Sequence, residues 1–323
     1  MKTRWIFFAL CFSLVMGFGA AGGAASAAPK VVVSIKPVHS LVAGVMAGMG
    51  EPRLLITGSA SPHAYSLRPS DARALSEADL VVWVGEGLET FLGRPLRALA
   101  GGAEVVALSS VPGVELLESR AGGTWEKHDE AGTAQDEHGE EDDEPVHRPG
   151  DTNPHIWLDP DNAIAIVKAA VSALSGLDPD HAADYARNGD ELIGRLTALD
   201  RELQADLAPV KDTPFVVFHD AYHYFEAHYD LNAVGSITVS PDRAPGALRV
   251  SEIRAKIMDL EASCVFSEPQ FAPSVLNTVI EGTSARQGIL DPLGADHPAG
   301  PDAYFSLMRA LTGSLESCLA LAG

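Results

Sequence analysis

Cysteine is scarce in this chain, and so is positive charge. Three cysteines occur in 323 residues. Cys264 and Cys318, the two outside the apolar opening, stand too far apart for a clustered thiolate centre, which leaves that metal site the weakest reading of the pair. Lys and Arg number 23 against 44 Asp and Glu, a net charge of −21. Phosphate backbones are held by clustered basic side chains, so nucleic acid is not an expected partner, whereas the acidic balance suits a protein that handles cations. No Gly-x-x-x-x-Gly-Lys segment is present, and Gly85-Glu86-Gly87 lacks the rest of a dinucleotide fingerprint. Direct nucleotide binding is therefore not expected, and any ATP chemistry belongs to a partner. Past the opening residues no run approaches the about 20 apolar residues that a membrane helix needs, so the mature chain is expected to be soluble.

The opening itself is informative. Met1-Lys2-Thr3-Arg4 is basic, Trp5 to Phe18 is apolar, and small residues follow to Ala28 through Ala25-Ser26-Ala27. These are the three parts of a cleaved secretory signal peptide, placed at residues 1–27 and implying export to the periplasm. Cys11 lies inside the apolar run after Phe8-Ala9-Leu10, which argues against a lipid-anchored cysteine. In an oxidising compartment Cys264 and Cys318 read as a disulfide, with two buried free thiols as the alternative. Such a bond would contribute about 4 kcal/mol in the chain-entropy picture.

Hydrophobic patterning divides the rest. Val31–Ile35, Leu54–Thr57, Leu80–Val84 and Val105–Leu108 read as buried parallel strands, with helices at Ser40–Met49 and Ser70–Ala78 between them. Strands alternating with helices imply a parallel sheet covered on both faces. Residues 119–151 break the pattern and are expected to form a mobile acidic loop: Glu126–Asp151 is rich in Asp and Glu, with Gly and Pro and almost no large apolar residue. Helices are expected over Asp161–Leu174 and from His181 to about Leu207. The second carries an apolar stripe at Leu192, Leu196, Leu199, Leu203 and Leu207 and could space two lobes. Strands then recur at Phe215–Phe218, Ala233–Val239, Cys264–Phe266 and Gly288–Leu290, with helices at Ala221–His228, Ala247–Leu260 and Pro273–Gly282. The expected division is a lobe at 28–180, a linking helix at 181–209 and a lobe at 210–323, each lobe burying its own core.

Open parallel sheets bind ligands at the carboxyl ends of their strands. His63 follows the second strand, His155 opens the segment after the acidic stretch, His219 ends Phe215–Phe218, and Asp291 ends Gly288-Ile289-Leu290. Two come from each lobe, so a cleft between lobes would gather three imidazoles and a carboxylate, a donor set suited to Zn²⁺. His128, His138 and His147, in the acidic stretch, are candidates for a weaker zinc site alongside its carboxylates.

The same segments carry a family resemblance. Ser61-Pro62-His63-Ala64-Tyr65-Ser66-Leu67-Arg68-Pro69-Ser70-Asp71, His155-Ile156-Trp157-Leu158-Asp159-Pro160, Phe218-His219-Asp220-Ala221-Tyr222, Val265-Phe266-Ser267-Glu268-Pro269-Gln270-Phe271 and Leu290-Asp291-Pro292-Leu293-Gly294 resemble the zinc-binding component of bacterial zinc ABC importers. This is the ZnuA type within the metal-binding cluster of solute-binding proteins. The resemblance covers nearly all of the mature chain and includes the cysteine pair. It implies two (β/α)4 lobes joined by a long helix, metal buried between them, a membrane permease as partner, and a monomer that is not an enzyme. It also implies that His63, His155 and His219 are the ligands. Manganese members place a carboxylate where His219 stands. Some zinc members have Glu before the first histidine, but here that residue is Pro62, so the fourth ligand is Asp291 or a water. The histidine-rich loop common in zinc members is here acidic.

Rival readings are an exported zinc-dependent hydrolase and a manganese-binding or adhesin-like member of the same cluster. His219 and His223, with Asp220 between, look like a shortened His-Glu-x-x-His protease signature. The preceding run reads as strand, however, which puts His219 at a strand end rather than on a helix.

Overall fold

The computed structural model describes residues 28–120, 125, 152–238, 246–259, 262–271 and 274–320. The signal-peptide residues, His128, His138, His147 and the end of the strand expected at Ala233–Val239 lie outside the described residues.

Four parallel strands form the first sheet: β1 (Val31–Val33), β2 (Arg53–Leu54), β3 (Leu80–Trp83) and β4 (Glu104–Ala107), in the order β2-β1-β3-β4. Helices α1 (Lys36–Val45), α2 (Pro69–Ser76) and α3 (Gly93–Leu99) connect them. Helix α4 (Pro160–Leu177) leads into α5 (Ala182–Leu207), the 26-residue helix expected as the linker. The second sheet holds β5 (Phe215–Val217), β6 (Ala233–Ser236), β7 (Cys264–Ser267) and β8 (Arg286–Ile289), in the order β6-β5-β7-β8. Its helices are α6 (His223–Tyr229), α7 (Ala247–Asp259), α8 (Ser274–Ile280) and α9 (Ala303–Leu319). The two sheets share one strand order, although the sequence shows no detailed repeat. In each, the crossover direction reverses beside the first strand, which opens a crevice at the carboxyl ends.

Several boundaries differ from the sequence expectation for local reasons. Helix α1 starts at Lys36, four residues earlier than expected, because Pro37 has the φ of a first helical turn and needs no amide partner there. Backbone bonds from Leu55 to Val33 and from Ile56 to Ser34 continue beside β1, although β2 itself is short. Helices α3 and α9 are additions. Helix α9 buries Tyr304, Leu307, Met308, Leu311, Leu315 and Leu319, a stripe at spacings of three and four.

Separate cores for the two lobes do not exist in the expected form. One buried cluster runs from β1–β4 through Leu192, Leu196, Leu199 and Leu203 on α5 to Phe215, Phe266 and the inner face of α9. A smaller cluster, centred on Val216, Ile253, Val265 and Val279, fills the far side of the second sheet. The cause is α9, which returns to the first lobe: the Tyr304 amide donates to Ser40 Oγ on α1 at 2.9 Å. Cys264 on β7 and Cys318 on α9 are joined by a disulfide, so the returning helix is covalently tied to the second sheet. Among the described residues no helix is long and apolar enough to cross a membrane.

Candidate metal centre

His63 sits in the loop between β2 and α2. That loop is held by Tyr65, whose hydroxyl donates to Asp71 Oδ2 at 3.0 Å, the same carboxylate oxygen that accepts the Arg68 amide at the start of α2. His155 precedes a 3-10 turn, Ile156–Leu158, that feeds α4. Asp159 caps that helix by accepting the Asp161 amide at 2.8 Å, and Pro160 occupies its first turn. His219 lies just beyond β5, at the reversal point of the second sheet.

The three rings converge. Their centroids stand 5.4 Å apart for His63 and His155, 5.8 Å for His63 and His219, and 5.1 Å for His155 and His219. One nitrogen of each lies within 4.8 Å of the others, a grouping that could hold a metal ion. His155 and His219 are both 4 % exposed, and His63 is half-buried at the entrance.

Neighbours decide which nitrogens face inward. The Asn153 side-chain amine donates to the Asp220 carbonyl at 2.7 Å, and its Oδ1 accepts the His155 amide at 3.0 Å. That oxygen is thereby fixed as an acceptor, so His155 Nδ1, at 2.9 Å from it, carries the proton and leaves Nε2 as a lone pair. Glu268 does the same for His219, with Nδ1 at 2.6 Å from Oε1. Glu268 is 3 % exposed; burial pushes its carboxyl up, against the attraction of His219 and the bonds from it. The two Nε2 atoms that result face each other at 3.3 Å, as two donors to one cation would. Sequence reasoning missed Asn153 and Glu268 as site residues. Glu268 was open to the strand-end rule that found the histidines, since it follows β7 directly, but Asn153 gave no such signal.

Asp291 is not part of this grouping. One of its oxygens accepts from Gln270 Nε2 at 2.7 Å and the Leu293 amide at 3.0 Å, and the other accepts the Ala295 amide. The carboxylate thus folds its own loop. The first lobe grips that loop too, through Trp157 Nε1 to the Pro292 carbonyl and Lys36 Nζ to the Gly294 carbonyl. His223 opens α6 and is likewise outside the three-histidine group. Since α6 begins there, His219 and His223 do not share a helical face.

The cavity between the rings is walled by Pro62, Trp157, Phe271, Pro292 and Leu293 and measures about 10 Å³. On that scale it accommodates one water-sized guest.

Two lobes of one topology, with three convergent imidazoles in the crevice between them, define a metal-binding member of the solute-binding proteins. The description of the periplasmic zinc-uptake complex component A, ZnuA, matches residues 31–318. The chain belongs to that family. It is similar to the high-affinity zinc uptake system protein ZnuA of Brucella abortus, at 46 % identity over 90 % of this chain and 91 % of the relative. The protein of the same description from Yersinia pestis is 38 % identical, over 91 % and 92 %. A crystal structure of ZnuA superposes with a TM-score of 0.73 at 25 % identity, covering 90 % of this chain and 99 % of the other.

Proposed function

We propose that the mature chain captures Zn²⁺ in the periplasm through His63, His155 and His219 and delivers it to the membrane permease of a zinc ABC importer. The observation that carries this reading is the pair of buried Nε2 atoms turned toward each other by Asn153 and Glu268, with His63 at the entrance. Its relatives are named for high-affinity zinc uptake, which agrees with that donor set. Water completes the tetrahedron better than Asp291, because moving the Asp291 carboxylate to the metal would break three bonds that hold its loop. A cavity sized for one atom suits an ion carrier. Export through residues 1–27, a monomer, and lobes at 28–180 and 210–323 about a helix at 181–209 complete the proposal.

Calorimetric titration of the mature chain with Zn²⁺ tests it. One tight equivalent is expected, weakened by orders of magnitude in His155→Ala, since each histidine supplies one of four positions. The tight equivalent should also weaken as pH falls through about 6.5, where free imidazole takes up a proton. Unchanged affinity in His155→Ala would sink the assignment.

A further inference from the structure

A second group of donors lies where the lobes meet the linking helix. Asp159 caps α4, Asp161 stands in its first turn, Asp200 belongs to α5 and His228 to α6. His228 Nδ1 is 3.1 Å from Asp159 Oδ1, and its Nε2 is 2.9 Å from Asp200 Oδ1. One donor atom each of Asp159, Asp161 and His228 lies within 4.8 Å of the others. Three carboxylates therefore surround one imidazole, and no Lys or Arg among the described residues is ion-paired with any of them. Even with the ring fully protonated, the cluster stays two charges negative. Tyr229, 5 % exposed, packs against the same group, and burial first and then the Asp200 carboxylate beside it hold its hydroxyl in the neutral form.

We propose that this junction is a second divalent-cation site for a borderline ion such as Zn²⁺, held by His228 Nδ1 and the carboxylates of Asp159 and Asp161. Asp200 takes the remaining Nε2–H, the carboxylate–histidine–metal relation that orients a ligating ring and raises its basicity. Without metal the ring is an imidazolium that donates to Asp159 and Asp200 together. On loading, the ion replaces the Nδ1 proton, which leaves to solvent. Such a site is half-exposed and must displace a proton, so it fills at higher zinc than the cleft. Asp159 is four residues past His155, and His228 lies on the first helix after His219. An ion here would stiffen the junction between two ligand-bearing segments.

The rival is a bare imidazolium bridge between Asp159 and Asp200, in which Asp161 plays no part. Asp161→Asn separates the two, because it leaves that bridge intact. The experiment is a Zn²⁺ titration of the mature chain, Asp161→Asn and His228→Ala, with anomalous scattering at the zinc edge from crystals of each. The expected result is a weaker second equivalent after the tight one, an anomalous peak at His228, and loss of both in Asp161→Asn with the tight equivalent unmoved. No peak at His228, a peak only at crystal concentration, or weak binding unchanged in Asp161→Asn would each overturn the proposal. Loss of the tight equivalent from the unmodified chain would instead count against the capture function.

Discussion

Asn153 and Glu268 touch the outer nitrogens of His155 and His219, so they act on metal binding without needing to reach the ion. Glu268→Gln removes the carboxylate that holds Nδ1–H, and replacements of such partners commonly cost about 10- to 100-fold in metal affinity. A drop of that size is expected in Glu268→Gln by competition against a zinc chelator; an unchanged constant would make Glu268 a packing residue only. Glu89 offers a test of electrostatics away from the centre. It is fully buried and accepts from Ser34 Oγ and from the amides of Val84 and Gly85. Burial outweighs those donors and pushes its carboxyl up to about 7. The folded state then holds a proton that the unfolded chain has lost above about 4.5, so stability declines as pH rises from that value through about 7. Relative to the unmodified chain, Glu89→Gln should gain on the order of 3 kcal/mol between pH 5 and pH 8, read from urea unfolding at the two pH values. At this scale the sequence offered the three histidines as candidates from local settings, since His219 follows a strand run, His63 lies in the loop after another and His155 opens the ordered segment past the acidic stretch. It did not expose Asn153, whose role depends on contacts with Asp220 and His155 together.

Among the elements, the acidic stretch is the one whose ends the structure re-draws. Arg120, inside the part expected to be mobile, donates to Asp220 and to Glu226 on α6, and its guanidinium lies 3.5 Å over the Trp125 ring. The Trp125 amide in turn donates to the Val234 carbonyl at 2.9 Å. On the far side, Asn153 and Tyr224 exchange bonds with Asp220 and with the chain at 153. Both ends of the stretch are therefore fastened to the segment that follows His219. Arg120→Met should destabilise by about 3–5 kcal/mol, because it leaves the 4 %-exposed Glu226 carboxylate without its cation. Deletion of residues 126–150 should be far milder and should keep the tight zinc equivalent. Denaturant unfolding and zinc titration on the two variants check both statements. If the deletion abolished tight binding, the stretch would supply a ligand and water would lose its place as the fourth. Composition spoke correctly of a polar segment, but it averaged over Arg120 and Trp125, two residues whose partners lie about 100 positions away.

For the whole molecule, a core shared through α5 and α9 implies one unfolding event rather than two. Calorimetry should show a single transition whose van't Hoff and calorimetric enthalpies agree. Cys264→Ser with Cys318→Ser should lower its stability by about 4 kcal/mol, the value for a loop of 54 residues, and leave zinc affinity in place. A variant in which half of the enthalpy shifts and half stays would show that the lobes unfold independently. The sequence by itself determined the parallel α/β alternation, the long helix and the cysteine pair, and it offered the three histidines as candidates, because burial periodicity and a residue's place beside a strand or turn are written within a few residues. Only the tertiary structure decided the rest. The order β6-β5-β7-β8 brings Glu268 to His219 across 49 residues, the loop after β8 consumes the Asp291 carboxylate, and α9 joins part of the second lobe's core to the first while a smaller cluster stays on the far side of the second sheet. Each of these depends on which distant segments become neighbours, and local pattern carries no record of the strand order and helix return that make them so.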